Sequence, residues 1–433
     1  MTTTADDIRR RIEALWRIEA PKLHASLARL TRDVGLAEEL AQEALVAALE
    51  RWPASGVPDN PGAWLMTTAK NRALDELRRA KLLRRKHQEL GRDLDEAGEA
   101  RAEAHEARLE RELDDDVGDD LLRLIFTACH PVLTPDARVT LTLRLLGGLT
   151  TAEIARAFLA PEPTIAQRIV RAKKALADAG VPFEVPRGAE RAERLASVLE
   201  VIYLIFNEGY AATAGDDWMR PELCEDALRL GRVLAGLAPE EPEVHGLVAL
   251  MEIQASRARA RTTPAGEPIL LLDQDRARWD QLLIRRGLAA LEQAEALGGA
   301  RGPYALQAAL AACHARARRP EETDWARIAG LYGALAEIAP SPIVDLNRAI
   351  ALGMLFGPEA GLKIVDALAA DGALAGYHLL PSVRADFLTK LGRLDEARAE
   401  WARAAGLTQN ARERALLLAR AEACGRSPTT AAS

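Results

Sequence analysis

Residues 149–176 read LTTAEIARAFLAPEPTIAQRIVRAKKAL, and their spacing predicts two helices joined by a short turn. Thr151 is placed to cap the first helix, in which Ile154, Ala155 and Phe158 share one face. Residues 159–162 supply the turn, and Pro163 opens the second helix, where its fixed φ is already helical. In that helix Ile165, Ile169, Ala172 and Leu176 recur at helical spacing as a core stripe. The opposite face carries Thr164, Gln167, Arg168 and Arg171, with Lys173 and Lys174 at the C-terminal end. Polar side chains near the start of such a helix reach base edges in a groove, and later cations hold phosphates. A helix with a solvated basic face has the same pattern, so the stretch by itself leaves both readings open.

The surrounding chain has the same helical character. Its 433 residues exceed what one hydrophobic core normally serves, so two or three domains are expected. Hydrophobic residues make up 48% and aromatics only 4%, with abundant Ala and Leu and almost no alternating β-branched runs; the composition predicts an all-α protein. The net charge of −7 conceals a local asymmetry. Residues 64–86 hold eight Lys/Arg against Asp75 and Glu76, whereas residues 87–119 hold thirteen Asp/Glu against four Arg. Local charge governs contact with nucleic acid, so an acidic average does not exclude it.

Four segments follow from this patterning. Residues 7–86 read as a compact helical unit, with helices over about 7–30 and 35–52 and a third opening at Pro61. Residues 87–118 are charged and nearly devoid of large apolar side chains, which makes them a linker. Residues 119–180 form a second helical unit closed by Gly180, Pro182, Pro186 and Gly188, and residues 190–424 are a long series of helices with short turns. The four cysteines, Cys129, Cys224, Cys313 and Cys424, form no CxxC pair and are expected to be buried reduced thiols; no metal site is expected, including at Cys129–His130. No apolar run reaches the length of a membrane span and no signal peptide is evident, so a soluble, cytoplasmic protein is expected. The sequence has no GxxxxGK[ST], GxSxG or HExxH, so neither enzymatic activity nor a cofactor is expected.

Upstream of the opening stretch lies a second constellation. In LAEELAQEALVAALERW (36–52), Ala37, Leu40, Ala41, Ala44, Leu45, Ala48 and Trp52 face inward, while Glu38, Glu39, Gln42, Glu43 and Glu50 form an outer face suited to a basic partner helix. NPGAWLMTTAKNRALDELRRAKLLRRK (60–86) follows, with Trp64 near its start and a basic run at its end. These motifs, in this order and followed by the paired helices of 149–176, resemble the sigma-70 family of RNA polymerase sigma factors, extracytoplasmic-function group, over about residues 8–178. The resemblance implies a helical sigma domain 2, a helix-turn-helix sigma domain 4, and core RNA polymerase and promoter DNA as partners. It further implies that Glu38, Glu39, Gln42 and Glu43 face the polymerase β′ clamp. Trp64, Lys70, Asn71 and Arg72 would engage a −10 element by base capture, with Arg78, Arg79, Lys81, Arg84 and Arg85 along its phosphates. Thr164, Gln167, Arg168, Arg171, Lys173 and Lys174 would read the −35 element as duplex. The family usually has Gly where this chain has Ala160 and Pro163.

Past residue 190, FLTKLGRLDEARAEWARAAGL (387–407) resembles a tetratricopeptide (TPR) repeat, with Gly392 at the turn and Ala397, Trp401 and Ala404 at packing positions. Residues 347–369 and 303–339 have the same outline, which predicts a TPR-like α-solenoid whose concave face takes a protein or peptide partner. Within 195–296, Asn207, Glu208 and Tyr210 need partners if buried, with Asp273, Asp275 and Arg276 as candidates. They serve either as internal ion pairs and caps or as the lining of a ligand pocket.

Overall fold

The computed structural model describes residues 5–89 and 117–425. Among these, eighteen α-helices account for nearly all regular structure, and the one sheet is a parallel pair of two-residue strands. The chain divides into two compact units, Met1–Ile202 and Tyr203–Ser433.

The first unit opens with α1 (Ala5–Thr31), α2 (Val34–Ser55) and α3 (Pro61–Glu89). Asp33 caps α2 by accepting from Gly35 N at 2.7 Å and Leu36 N at 3.1 Å, and Gly56 ends it at φ 84°. Ile12, Leu23 and Leu27 of α1, Trp52 of α2 and Leu65 of α3 are among the most deeply buried side chains. The apolar stripe expected on α2 is buried apart from Leu45, which is half-buried.

Four short helices follow: α4 (Val117–Ala128), α5 (Pro135–Leu145), α6 (Thr151–Ala157) and α7 (Glu162–Asp178). The cap of α6 is Thr150, one residue earlier than expected. Its hydroxyl accepts from Glu153 N at 3.1 Å, while Thr150 N donates to the Glu153 carboxylate at 2.8 Å, a reciprocal capping box. Glu153 lies three residues from Thr150, which is why that threonine wins over its neighbour. The turn is residues 158–161, with Leu159 at φ 49° and Pro161 as the cap of α7, so α7 begins at Glu162 rather than Pro163. Ile165, Ile169, Ala172 and Leu176 are buried as their spacing predicts.

Helix α8 (Gly188–Tyr210) carries the chain from the first unit into the second. Its N-terminal half belongs to the first unit: Arg194 donates to Phe126 O at 2.9 Å and Ser197 to Cys129 O at 2.7 Å.

The second unit consists of α9 (Pro221–Leu237), α10 (Pro242–Ala255), α11 (Gln281–Ala296), α12 (Pro303–Arg316), α13 (Trp325–Ile338), α14 (Pro342–Phe356), α15 (Pro358–Asp371), α16 (Leu379–Lys390), α17 (Leu394–Leu407) and α18 (Ala411–Gly425). Five of these ten open on proline, the residue favoured at the first helical position. Most helices pack on their sequence neighbours, and α12 packs chiefly on α10, the pattern of a helical array. Gly392 turns the chain at φ 74° between α16 and α17, and Ala397, Trp401 and Ala404 are buried.

The array differs from an open solenoid in one respect. Ala214–Gly215 pairs in parallel with Gln409–Asn410, and the Asn410 amide donates to Ala212 O at 3.2 Å and Asp217 O at 2.8 Å. The first loop and the last helix of the unit therefore meet. The partners expected within 195–296 are also rearranged. Glu208 pairs with Arg220 and accepts from Thr213, while Asp275 caps a short turn through Ala277 N. Arg276 closes the C-terminal end of α12, donating to His314 O at 2.9 Å, Ala317 O at 2.7 Å and Thr323 Oγ1 at 3.2 Å. Tyr210 lies against the Arg261 guanidinium, 3.5 Å from its ring centre. Internal pairs and caps thus account for Glu208, Tyr210, Asp275 and Arg276.

Candidate nucleic-acid interface

Three helices carry the residues singled out by sequence, and the first unit places two of them, α2 and α7, in contact. On α7, Thr164, Gln167, Arg171 and Lys174 are exposed on the face opposite the buried stripe. Arg168 is half-buried and reaches back to α5, 3.4 Å from the Asp136 carboxylate and 3.5 Å from Thr140 Oγ1. Lys173 does not join the outer face. It turns inward and pairs with Glu38 of α2.

That pairing corrects a second expectation. Glu39 and Glu43 are exposed and Gln42 is half-buried, but Glu38 is buried, its side chain only 4% exposed. Its carboxylate accepts from Arg144 Nε at 2.6 Å and from Gln42 Nε2 at 2.7 Å, beside the Lys173 ammonium. Burial alone would raise its pKa, but the two cations outweigh that and hold it below the ordinary glutamate value. Leaving this carboxylate in the interior without both cations would be costly, so its position follows from its partners.

Further contacts join α1 to α4, α5 and α6. Arg17 Nη2 lies 2.6 Å from Glu153 Oε1, and Arg29 Nε 2.9 Å from Asp120 Oδ2. His24 Nδ1 donates to Leu145 O at 2.8 Å, and its ring meets Trp16 edge to face. Burial pushes the His24 imidazole down to about 4, with Arg144 and Lys173 acting in the same direction and the Leu145 carbonyl and Glu38 opposing. Gly148, at φ 71°, lets the turn after α5 approach the Arg17 backbone: a Cβ there would lie 3.2 Å from Arg17 Cα. Arg17, His24, Arg29, Asp120, Arg144 and Glu153 were not singled out by sequence, because each is one ordinary polar residue until its distant partner is known.

On α3, Trp64 is half-buried and meets Trp52 edge to face at 5.3 Å. Asn71, Arg78 and Arg79 are exposed, Lys70 is half-buried, and half-buried Arg72 pairs with Glu43 at 2.8 Å. The side chains of Lys81, Arg84 and Arg85 lie outside the described residues, as does most of the acidic segment 87–118. Cys129 is buried with its thiol pushed up to about 11, a poor nucleophile and metal ligand. No helix among the described residues is long and apolar enough to cross a membrane.

Comparison with known proteins gives three family matches. Residues 15–82 match sigma-70 region 2, residues 123–176 match sigma-70 region 4, and residues 194–295 match a family of unknown function. An uncharacterized protein of Rhizobium meliloti (strain 1021) is 43% identical over 414 residues, 95% of each chain. No solved structure matches the chain.

Proposed function

The chain belongs to the sigma-70 family of RNA polymerase sigma factors, and on that premise we propose how its residues direct transcription initiation. Sigma factors are DNA-binding transcription regulators rather than enzymes, and their partners are core RNA polymerase and promoter DNA. In our reading the chain is of the extracytoplasmic-function group. Residues 7–86 act as sigma domain 2, 87–118 as an acidic linker, and 119–180 as sigma domain 4.

The observation that carries this reading is the exposed polar face of α7. Thr164 and Gln167 stand near the start of a helix whose opposite stripe is buried, with Arg171 and Lys174 further along. A helix so presented enters a major groove with donors and acceptors leading and cations trailing onto phosphate. On α2 the exposed carboxylates of Glu39 and Glu43 supply the acidic face for the polymerase clamp. Asn71, Lys70 and Arg72 on α3 face the −10 strand, with Arg78 and Arg79 on its backbone. Residues 190–424 form a TPR-like domain that takes a protein or peptide partner and supports or regulates activity.

Reconstituted transcription tests the reading. Purified chain added to bacterial core RNA polymerase on fragmented genomic DNA is expected to create start sites absent with core alone. Gln167→Ala is expected to weaken selection at one −35 position by about 1–3 kcal/mol. Arg171→Ala should instead weaken all sites alike and flatten the salt dependence. No start sites above core enzyme would overturn the proposal, and footprints formed without core would point to a duplex-binding regulator.

A further inference from the structure

We propose that the second unit binds a phosphate dianion, free or as the ester of a small molecule, in the cleft beside Trp279, with Arg259 and Arg278 as its clamp. The inference goes beyond the reading above and does not depend on it. It starts from the charges gathered around LLDQDRARWDQ (271–281) and the short turn at 257–261.

Three guanidiniums alternate here with three aromatic rings. Arg261 lies 3.5 Å from the Tyr210 ring centre and 5.7 Å from that of Trp218. Arg257 lies 5.6 Å from Tyr210 and 5.8 Å from Trp279, and Arg276 lies 5.2 Å from Trp279. The π faces hold the guanidiniums in place, but a ring has no net charge and does not neutralise them. Arg276 is satisfied by the carbonyls at the end of α12. Arg257 has no ion pair or side-chain hydrogen bond among the described residues, and its Nε is buried without a partner. The cations also act on one another. Burial lowers the pKa of Arg261, and the Arg257 charge acts in the same direction. His314 is pushed down to about 4 by burial, with Arg257 and Arg276 adding to it.

The Trp279 end of this ladder opens on a cleft of about 720 Å³, within the range of about 300–1,000 Å³ common to small-molecule sites. Arg259 and Arg278 stand exposed in its lining, and neither has an ion pair or side-chain hydrogen bond among the described residues. Trp279 lines it too, 3% exposed and with no partner for its indole Nε1. Asp280, the carboxylate of the lining, already accepts from Leu282 N at 2.8 Å and Leu283 N at 3.1 Å. Arg257, Arg259 and Arg278 against Asp280 leave an excess of positive charge that a phosphate monoester, at about −1.5 to −2, balances and a single carboxylate does not. Guanidinium forks also match phosphate oxygens two at a time. Leu282, half exposed on the same cleft, gives the organic part of an ester an apolar contact. The recess favours a small ligand over a nucleic-acid backbone, which is tracked by an extended basic groove.

Calorimetric titration of the full chain, in a buffer free of phosphate and sulfate, tests the site with inorganic phosphate, AMP and adenosine. At least one of the two phosphates is expected to bind with a Kd of about 1 mM or tighter, and adenosine, which lacks the anion, is expected not to bind. Equal binding of phosphate and AMP marks the free ion as what is recognised, tighter binding of AMP marks an ester, and both support the proposal. Arg259→Ala with Arg278→Ala is expected to weaken that binding about tenfold or more. The melting temperature without ligand should stay the same, because neither side chain has a partner to lose. Arg278→Gln alone is expected to weaken binding about threefold, and it supplies the comparison should the double variant not fold. Absence of binding by either phosphate up to about 10 mM overturns the proposal. So does unchanged affinity in the variant that folds, or adenosine binding as tightly as AMP. Loss of duplex-DNA affinity in the double variant, with no phosphate binding by the wild type, reassigns both arginines to nucleic acid and overturns it as well.

Discussion

His24 shows how a single residue is constrained by packing. Its Nδ1–H is committed to Leu145 O, so the neutral ring must leave Nε2 unprotonated, and that atom is buried without a partner. Protonation would place a charge in the interior beside Arg144 and Lys173. The folded-state pKa of about 4 lies below the ordinary 6.5. The stabilisation is therefore complete above pH 6.5 and is lost as the pH falls from 6.5 towards 4. The full effect is about 3 kcal/mol. His24→Asn keeps a donor for Leu145 O but does not titrate. Its unfolding free energy is expected to fall less steeply than that of the wild type between pH 7 and 4. Equal slopes in chemical denaturation at several pH values would refute this account.

At the scale of elements, α14, α15 and α16 meet around one ring. Phe387 of α16 is 2% exposed, and the hydrogens of Gly353 and Gly361 face it. A Cβ at Gly353 would lie 2.4 Å from Phe387 Cε1, and one at Gly361 2.4 Å from Cζ. Replacing a helical glycine by alanine normally gains up to about 1 kcal/mol. Here the overlap costs more, since a packed core yields little to added atoms, and Gly353→Ala is expected to destabilise by about 1–2 kcal/mol. Gly330 of α13 has nothing within 4 Å of the same position and is exposed, so Gly330→Ala should stabilise by about 0.5–1 kcal/mol. Thermal unfolding of the two variants should move in opposite directions; shifts of the same sign would contradict the packing argument.

For the whole molecule, the question is where the first unit ends. The sequence suggests a break at 180–190, marked by Gly180, Pro182, Pro186 and Gly188. Yet Arg194, 7% exposed at its side chain, and Ser197 tie the first half of α8 to α4 and the residue after it, and Arg138 of α5 pairs with Glu200 at 3.1 Å. A fragment of residues 1–202 is therefore expected to be more stable than one of 1–187, by about 2–4 kcal/mol for the lost buried hydrogen bonds. Both should fold, because α1 to α7 bury many apolar side chains of their own, among them Ile12, Leu23, Trp52, Leu65, Leu124 and Leu141. Removing residues 190–433 is expected to lower transcription, and equal melting curves for the two fragments would show that α8 adds nothing to the first unit.

Local rules sufficed for much of this protein. The stripe Ile165, Ile169, Ala172 and Leu176, the turn at Gly392 and the prolines that open helices are statements about neighbours three or four residues apart, and a one-dimensional pattern carries them whole. The exposed face of α7 follows from the same periodicity. Choosing Thr150 over Thr151 needed only Glu153, three residues on, and was within reach of the sequence. Glu38 was not. On its helix it has the spacing of an outer residue, and its burial depends on Arg144, 106 residues away, and on Lys173 beyond that. An ionised group enters an interior only when counter-charges meet it there, and which charges meet is a property of packing. The same holds for the glycines around Phe387 and for Asn410, whose partners lie 198 and 193 residues distant. The sequence by itself determined the helices, their order and the family. Tertiary structure alone decided which of their charged faces stay open and which are spent on one another.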